Sequence, residues 1–363
     1  MKRIVMLGSG REVRGGISAM VNVCFEHGLF DRWEAQYLPT HCDGSKARKA
    51  ARAGATFARF AALVATGRVA LVHAHIASGA SFWRKLAFIA LARAFAVPYV
   101  LHVHAGDFGS YSDRLPRPAR AVLRWLYRGA QRVIALSPAW RDPIAAAVPE
   151  ARIEVIPNPV AIPTWNAHAA PRRPIALFLG VVRPEKGVYE LLAAWPSVLA
   201  RLPEAKLVIA GSGEIERARA VAEQLGFAAS VEFPGWVGPV EKSRLLAKAS
   251  VLVLPSHFEA LPMAVLEGMA AGLPIVATRV GAIPEAVGEG AGLLVEPHDP
   301  HALAEALVTA LGDGATRIAM GAAARLRARE NYSAEVVMPA LERVWDGLAS
   351  DSKRTSSWVP AGP

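Results

Sequence analysis

The chain has 363 residues, 53% of them apolar and 20% charged. At about 100–200 residues per domain that composition argues for two domains with sizeable cores and excludes a disordered chain. Of 41 Lys and Arg, 22 fall in residues 1–170 beside 10 Asp and Glu (+12), whereas the other 19 face 21 acids (−2), so the basic half is the one suited to nucleic acid, an anionic membrane or an acidic small molecule.

The first predicted strand, Ile4–Leu7, follows a basic start but offers too short an apolar stretch for a signal peptide. It leads into GSGREVRGGIS, which lacks the G-x-G-x-x-G dinucleotide spacing. Gly15–Gly16, opening a helix at Ile17, is either a phosphate site on backbone N–H groups or a turn. Cys24 and Cys42 are too few for a disulfide framework and indicate a reducing compartment. Residues 46–59, KARKAARAGATFAR, gather Lys46, Arg48, Lys49, Arg52 and Arg59. The strands Leu71–His75 and Tyr99–His104 each end in histidines two apart, His73 with His75 and His102 with His104, so each pair shares one face. His104 stands at a carboxyl end, where ligands of open α/β sheets bind. Between these strands Leu86–Val97, the best candidate for a membrane span, is short and carries Arg93. Arg117, Arg120, Arg124, Arg128 and Arg132 recur at spacings of 3, 4, 4 and 4. On a helix they fall within about 120° of one face, either a surface for anionic lipid or a solvated face. Strands Val133–Leu136 and Ile153–Ile156 close the series.

Residues 157–174, PNPVAIPTWNAHAAPRRP, have no period and read as a linker. A second series follows: Ile175–Leu179, Lys206–Ala210, Val231–Phe233, Val251–Leu254, Ile275–Ala277 and Leu293–Val295. These continuous apolar runs, separated by alanine-rich helical stretches, fit strands of parallel sheets covered on both faces. The fold class is therefore α/β, two doubly wound units, with a ligand expected in the cleft between them. After Ile175–Leu179 comes GVVRPEKG, where Arg183 and Lys186 flanked by Gly180 and Gly187 suit a diphosphate. After Val251–Leu254 comes HFEALPMAVLEGMAAGLPIVAT, with Glu259 and Glu267 eight residues apart. A helix starting near Pro262 would make Leu261–Met263 an anion site, and Glu267, a carboxylate in an apolar helix, needs donors such as ribose hydroxyls. The last helix, Ala334–Ala349, precedes a polar, proline-ended tail expected to be disordered.

These motifs resemble the donor-binding domain of the family-4 retaining glycosyltransferases of GT-B architecture. The likeness rests on Gly180 with PEKG to Gly187, GSGE at Gly211–Glu214, GWV at Gly235–Val237, PSHFEALPMAVLEGMAAGLPIVAT and GAIPEAV from Gly281, in the family's order over about residues 175–295. Gly15–Gly16 and the strand ending in His104 carry a looser resemblance in the first half. The resemblance implies two Rossmann-like domains facing each other across a cleft: 1–160 for the acceptor, 161–174 a linker, 175–331 for the nucleotide-sugar. A C-terminal helix at 332–349 is expected to pack back on the first domain, followed by the tail 350–363.

It also implies roles. Lys186 and Gly16 hold the donor's phosphates, with Gly15 and Gly211 in the same binding set. Glu267 binds ribose hydroxyls, and Glu259 contacts the donor sugar. His104 lies near the reacting sugar, the backbone at Val237 meets the base, and Leu261, Pro262 and Met263 complete the anion site. Val181 stands where the family usually has arginine, so Arg183, on the same side of an extended segment, is expected to replace it. No D-x-D pair is present, so no metal or other cofactor is expected, and cations with helix N-termini serve the diphosphate instead. The expected activity is retaining transfer of a hexose from GDP-mannose or a UDP-sugar to a lipid-linked saccharide in cell-surface polysaccharide biosynthesis. It is placed in the cytoplasm, peripheral on the inner face of the cytoplasmic membrane. Arg48, Lys49, Arg52, Arg117, Arg120, Arg124 and Arg128 would form the membrane and acceptor face. The basic runs match no nucleic-acid recognition motif. Competing readings are an epimerase or hydrolase of the same fold, or a non-catalytic membrane-surface protein.

Overall fold

Two six-stranded, all-parallel sheets organise residues 2–167 and 173–355, which the computed structural model describes. The chain divides into one unit of residues 1–159 with 334–363 and a second of residues 160–333. In the first unit the strands are β1 (Arg3–Gly8), β2 (Gln36–Pro39), β3 (Val69–Ile76), β4 (Tyr99–Val103), β5 (Arg132–Ala135) and β6 (Ile153–Val155), in the order β2-β1-β3-β4-β5-β6. In the second they are β7 (Ile175–Leu179), β8 (Lys206–Ala210), β9 (Val231–Gly235), β10 (Val251–Leu254), β11 (Ile275–Thr278) and β12 (Gly292–Val295), in the order β12-β11-β10-β7-β8-β9.

The sequence pattern explains this layering. Every residue of β4, β10 and β11 is buried, as continuous apolar runs require when helices cover both faces, whereas the edge strands β6 and β12 are half-buried throughout. Strand β2 has no counterpart in the sequence reading. It is four residues long, ends in proline and lies at a sheet edge, where one covered flank suffices and no apolar run is needed.

The C-terminal helix, Ala334–Thr355, belongs to the first unit. It buries Val337, Leu341, Val344 and Trp345, and full burial of a large apolar side chain such as Trp345 is worth about 1.5–3 kcal/mol. Its Glu342 pairs with Arg32 at 2.6 Å. The helix runs past Ala349 to Thr355, so the start of the expected tail is helical, and residues 356–363 lie outside those described. Residues 160–167, read as linker, fall in the second unit, where Arg325 donates to the carbonyls of Pro163 and Trp165; residues 168–172 lie outside those described.

Candidate functional site

In the second unit the polar residues gather after the parallel strands, at their carboxyl ends. Beyond β7 the segment Val181–Arg183 runs alongside Ser212–Glu214: Val182 N–H donates to the Ser212 carbonyl at 2.7 Å, and Glu214 N–H to the Val182 carbonyl at 2.8 Å. Val182 is buried, so its neighbours Val181 and Arg183 turn the other way, and Arg183 is exposed. A 3₁₀ turn, Pro184–Lys186, then delivers Lys186 to Gly187 at φ 67°. A Cβ at Gly187 would stand 1.8 Å from the Pro255 carbonyl oxygen, so only glycine lets this turn close against the turn after β10.

That approach joins two predicted residues. Lys186 Nζ donates to Glu259 Oε1 at 2.5 Å, and Ser256 Oγ donates to the same oxygen at 2.8 Å. Glu267 is also paired, accepting from Lys242 Nζ at 2.5 Å. Both carboxylates are mostly buried, at 11% and 16% side-chain exposure, which is why each needs its cation. Lys242, from the helix Pro239–Lys248, and Ser256 escape the sequence reading. The available signal for Lys242 is its place just after the Gly235–Val237 turn; for Ser256 it is the position directly after a strand-ending proline. Gly281 is confined as well, since a Cβ there would meet the Glu259 carbonyl oxygen at 1.8 Å.

The helix Met263–Ala271 begins as expected, with Pro262 as its cap. Pro262 itself cannot serve the anion site as a donor, because proline has no N–H. Its carbonyl instead accepts from Val265 and Leu266, which leaves Met263 and Ala264 as the N–H groups ahead of the first intrahelical bond. Val237 is half-buried beside the exposed Trp236, in the loop after β9. Gly211 N–H donates to the Gly235 carbonyl at 2.8 Å. Glu214 of the GSGE run accepts from Tyr189 Oη and Arg217, which hold its carboxyl below the usual range; burial first and then Glu214 push Tyr189 up to about 12.

In the first unit, Gly15 and Gly16 stand at the start of the helix Gly16–Glu26. The four histidines meet on one sheet face. His75 and His102 are register partners on β3 and β4, and their neighbours two residues away share that face. Trp345 Nε1–H donates to His73 Nδ1 at 2.9 Å. Indole is a donor only, so His73 carries its proton on Nε2 and donates to His102 Nδ1 at 3.1 Å. His73, His75 and His102 bring ring nitrogens within 4.8 Å of one another, but the protonated Nε2 of His73 cannot ligate a metal. His104 Nε2 bonds His75 Nδ1 at 2.9 Å. Burial pushes His73 and His104 down to about 3, and burial followed by the neighbouring imidazoles drives His75 and His102 well below the ordinary range. His104 is accordingly a neutral imidazole, half-buried, with its Nε2 turned to His75.

Sequence reasoning also misses Lys85. It is buried on the helix Ala80–Ala94, donates to Thr40 Oγ1 at 2.6 Å, and pairs with no carboxylate among the described residues. Burial and then Arg84 push it down to about 7. His41 lies in the same field, lowered first by its own burial and then by Arg84 and Lys49. The basic run forms the helix Lys46–Ala65 with Arg48 and Arg52 exposed and Lys49 half-buried. Lys46, Arg48 and Lys49 occupy its first turn, where the helix dipole disfavours cations by about 0.3–1 kcal/mol each.

The arginine stripe is shorter than its spacing suggests. The helix Arg117–Arg128 ends at Gly129, and Arg132 starts β5, 3.7 Å from Glu154. Arg120 is half-buried and donates to the carbonyls of Asp113 and Leu115, so it is tied down rather than displayed. Arg117, Arg124 and Arg128 remain exposed, with Trp125 exposed among them, although Arg124 Nε donates to the Ala147 carbonyl at 3.1 Å. No helix of the described residues is long and apolar enough to cross a membrane.

Comparison with known proteins bears on the whole arrangement. Residues 165–327 match the family described as glycosyl transferases group 1, and residues 19–159 match the glycosyl transferase 4-like domain. The chain is 30% identical to the 2-deoxystreptamine N-acetyl-D-glucosaminyltransferase of Streptomyces fradiae, over 81% of this chain and 75% of that protein. It is 33% identical to a glycogen synthase of Mycobacterium tuberculosis over 71% of this chain, and spans 65% of that relative's length. Among solved structures, sucrose-phosphate synthase from Thermosynechococcus elongatus superposes with a TM-score of 0.81 at 20% identity, covering 97% of this chain and all (100%) of that one. Anabaena HepE in complex with UDP-glucose gives 0.76 at 19% identity, covering 96% and 100%.

Proposed function

The chain belongs to the group 1 glycosyl transferases and is a GT-B glycosyltransferase of family 4; from that premise we propose that it moves a hexose, with retention, from a nucleotide-sugar to a lipid-linked saccharide in cell-surface polysaccharide assembly. The observation that carries the donor half is the pairing of Lys186 with Glu259, beside Lys242 with Glu267. A diphosphate competes with Glu259 for Lys186, and the released carboxylate then accepts hydroxyls of the donor sugar. Glu267 accepts from the ribose in the same way. Arg183 and the N–H groups of Met263 and Ala264 add positive potential where leaving-group charge grows. The bond from the anomeric carbon to the diphosphate breaks, the acceptor hydroxyl attacks from the same face, and its proton passes to the leaving phosphate. The neutral His104 offers Nδ1 as a hydrogen-bonding group to the reacting sugar. The UDP-glucose complex of the Anabaena neighbour is the precedent for the donor class.

The acceptor half rests on the first unit's cations. A buried lysine, Lys85, with no carboxylate among the described residues, and a helix start crowded with Lys46, Arg48 and Lys49, are each unfavourable until an anion arrives. An acceptor carried on a lipid diphosphate supplies one, and the exposed Arg117, Arg124 and Arg128 suit docking on acidic lipid. The reaction runs without a metal on the diphosphate. A thermal-shift panel of nucleoside diphosphates and their sugars, followed by transfer assays with and without EDTA, tests the reading. Stabilisation by one nucleoside diphosphate and chelator-resistant, acceptor-dependent turnover are expected. Sugar release without acceptor would fit a hydrolase, and EDTA-sensitive turnover restored by Mg²⁺ would overturn the metal-free mechanism.

A further inference from the structure

A second polar cluster, made of residues with no role in the reading above, lies close to the Lys186–Glu259 pair in sequence. Glu190 comes from the first turn of the helix Val188–Arg201, His257 from the turn after β10, and His298 from the turn after β12. All three turns lie at the carboxyl edge of one parallel sheet. His257 Nε2 stands 2.9 Å and His298 Nδ1 3.3 Å from Glu190 Oε1, and the two rings are 3.9 Å apart at their centroids. One ring nitrogen from each histidine and one oxygen of Glu190 lie within 4.8 Å of one another.

Two features of this cluster are costly without a ligand. Glu190 Oε2 is buried and has no hydrogen-bond partner among the described residues, and a buried unsatisfied carboxylate oxygen is unfavourable. His298 adopts φ 63°, in the left-handed region that favours glycine, and a side chain persists there only where surrounding interactions hold it. We propose that Glu190, His257 and His298 bind a divalent first-row transition metal of the zinc type. Two imidazoles and a carboxylate are the donor set such ions take, whereas Mg²⁺ and Ca²⁺ require mostly oxygen ligands. The ion sits where each imidazole now meets Glu190 Oε1, and each ring keeps its one proton on the nitrogen turned away from the ion. Bound there, it ties the segment Ser256–Glu259, which holds Lys186, to the helix that follows Lys186. This is a clamp beside the donor site and takes no part in the transfer step.

Full-length protein stripped of metal and titrated with ZnCl₂ or MgCl₂, by calorimetry and by thermal shift, tests the site. One zinc per chain and a rise in Tm of several degrees are expected with Zn²⁺ and not with Mg²⁺. His298→Gly relieves the backbone while removing a ligand. It should fold with a metal-free Tm at or above wild type, and bind zinc more weakly by about tenfold or more. Glu190→Gln should lose zinc affinity likewise. Failure of the wild type to bind zinc, or equal affinity in wild type and His298→Gly, overturns the proposal.

Discussion

Lys186 Nζ and Glu259 Oε1 are 2.5 Å apart although 73 residues separate them in the chain. The pair exists because Gly187 allows its turn to press on the Pro255 carbonyl. Lys186→Ala removes the cation a diphosphate would use and leaves Glu259 with Ser256 as its named donor. Loss of a charge-assisted contact of about 1.5–3 kcal/mol lowers kcat/KM about 10- to 150-fold. The circular dichroism spectrum should be unchanged. A variant with wild-type kcat/KM would remove Lys186 from the donor site.

Lys85 yields an opposed pair of effects. Its ammonium, pushed down from 10.5 to about 7, binds protons more weakly folded than unfolded. Wild-type stability therefore declines as pH falls from 10.5 towards about 7. Lys85→Met should raise Tm at pH 7 by a few degrees and flatten that alkaline slope. Transfer to a phosphate-bearing acceptor should drop about tenfold or more. If turnover is untouched, the lysine does not serve the acceptor.

The histidine relay sets the acid limb. His73, His75, His102 and His104 are neutral in the fold and titrate near 6.5 once the chain unfolds. Because the unfolded chain binds more protons below 6.5, their contribution is full above that pH and is lost as pH falls towards about 3. Tm measured from pH 8 to pH 4 should fall progressively below about 6.5. The His75→Leu/His102→Leu double variant should show a shallower acid limb, and identical slopes would refute the assignment.

For membrane docking, the exposed Arg117, Arg124 and Arg128 are the informative positions, since Arg120 is half-buried and bound to two backbone carbonyls. Replacing the three by Gln should remove roughly 3 kcal/mol of attraction to acidic lipid, about 100-fold in partitioning. Binding should weaken steeply with salt, as the Debye length shrinks to about 3 Å at 1 M. Liposome co-sedimentation with and without acidic lipid measures this, and equal pelleting of both proteins would reduce the stripe to a solvated face.

The layering is legible in the apolar pattern alone. Short, nearly continuous apolar runs such as Val251–Leu254 and Tyr99–Val103 fit strands covered on both faces, and those strands are buried throughout. The sequence also pointed to Lys186 as a cation just beyond a buried strand, and to Glu259 and Glu267 as two carboxylates eight residues apart, the second inside an apolar helix. Strand β2 stayed hidden because an edge needs little apolar character, and Arg132 looked helical because spacing alone does not see the Gly129 stop. The choice of partners, by contrast, emerges only from the packed chain. Lys242 meets Glu267 across 25 residues, Trp345 fixes the proton of His73 across 272, and Lys85 is left without a carboxylate among the described residues. Local pattern reports whether a side chain is buried, since burial follows periodicity. It does not report which distant group satisfies that side chain, because the close packing of helices and turns that brings them together depends on the whole chain.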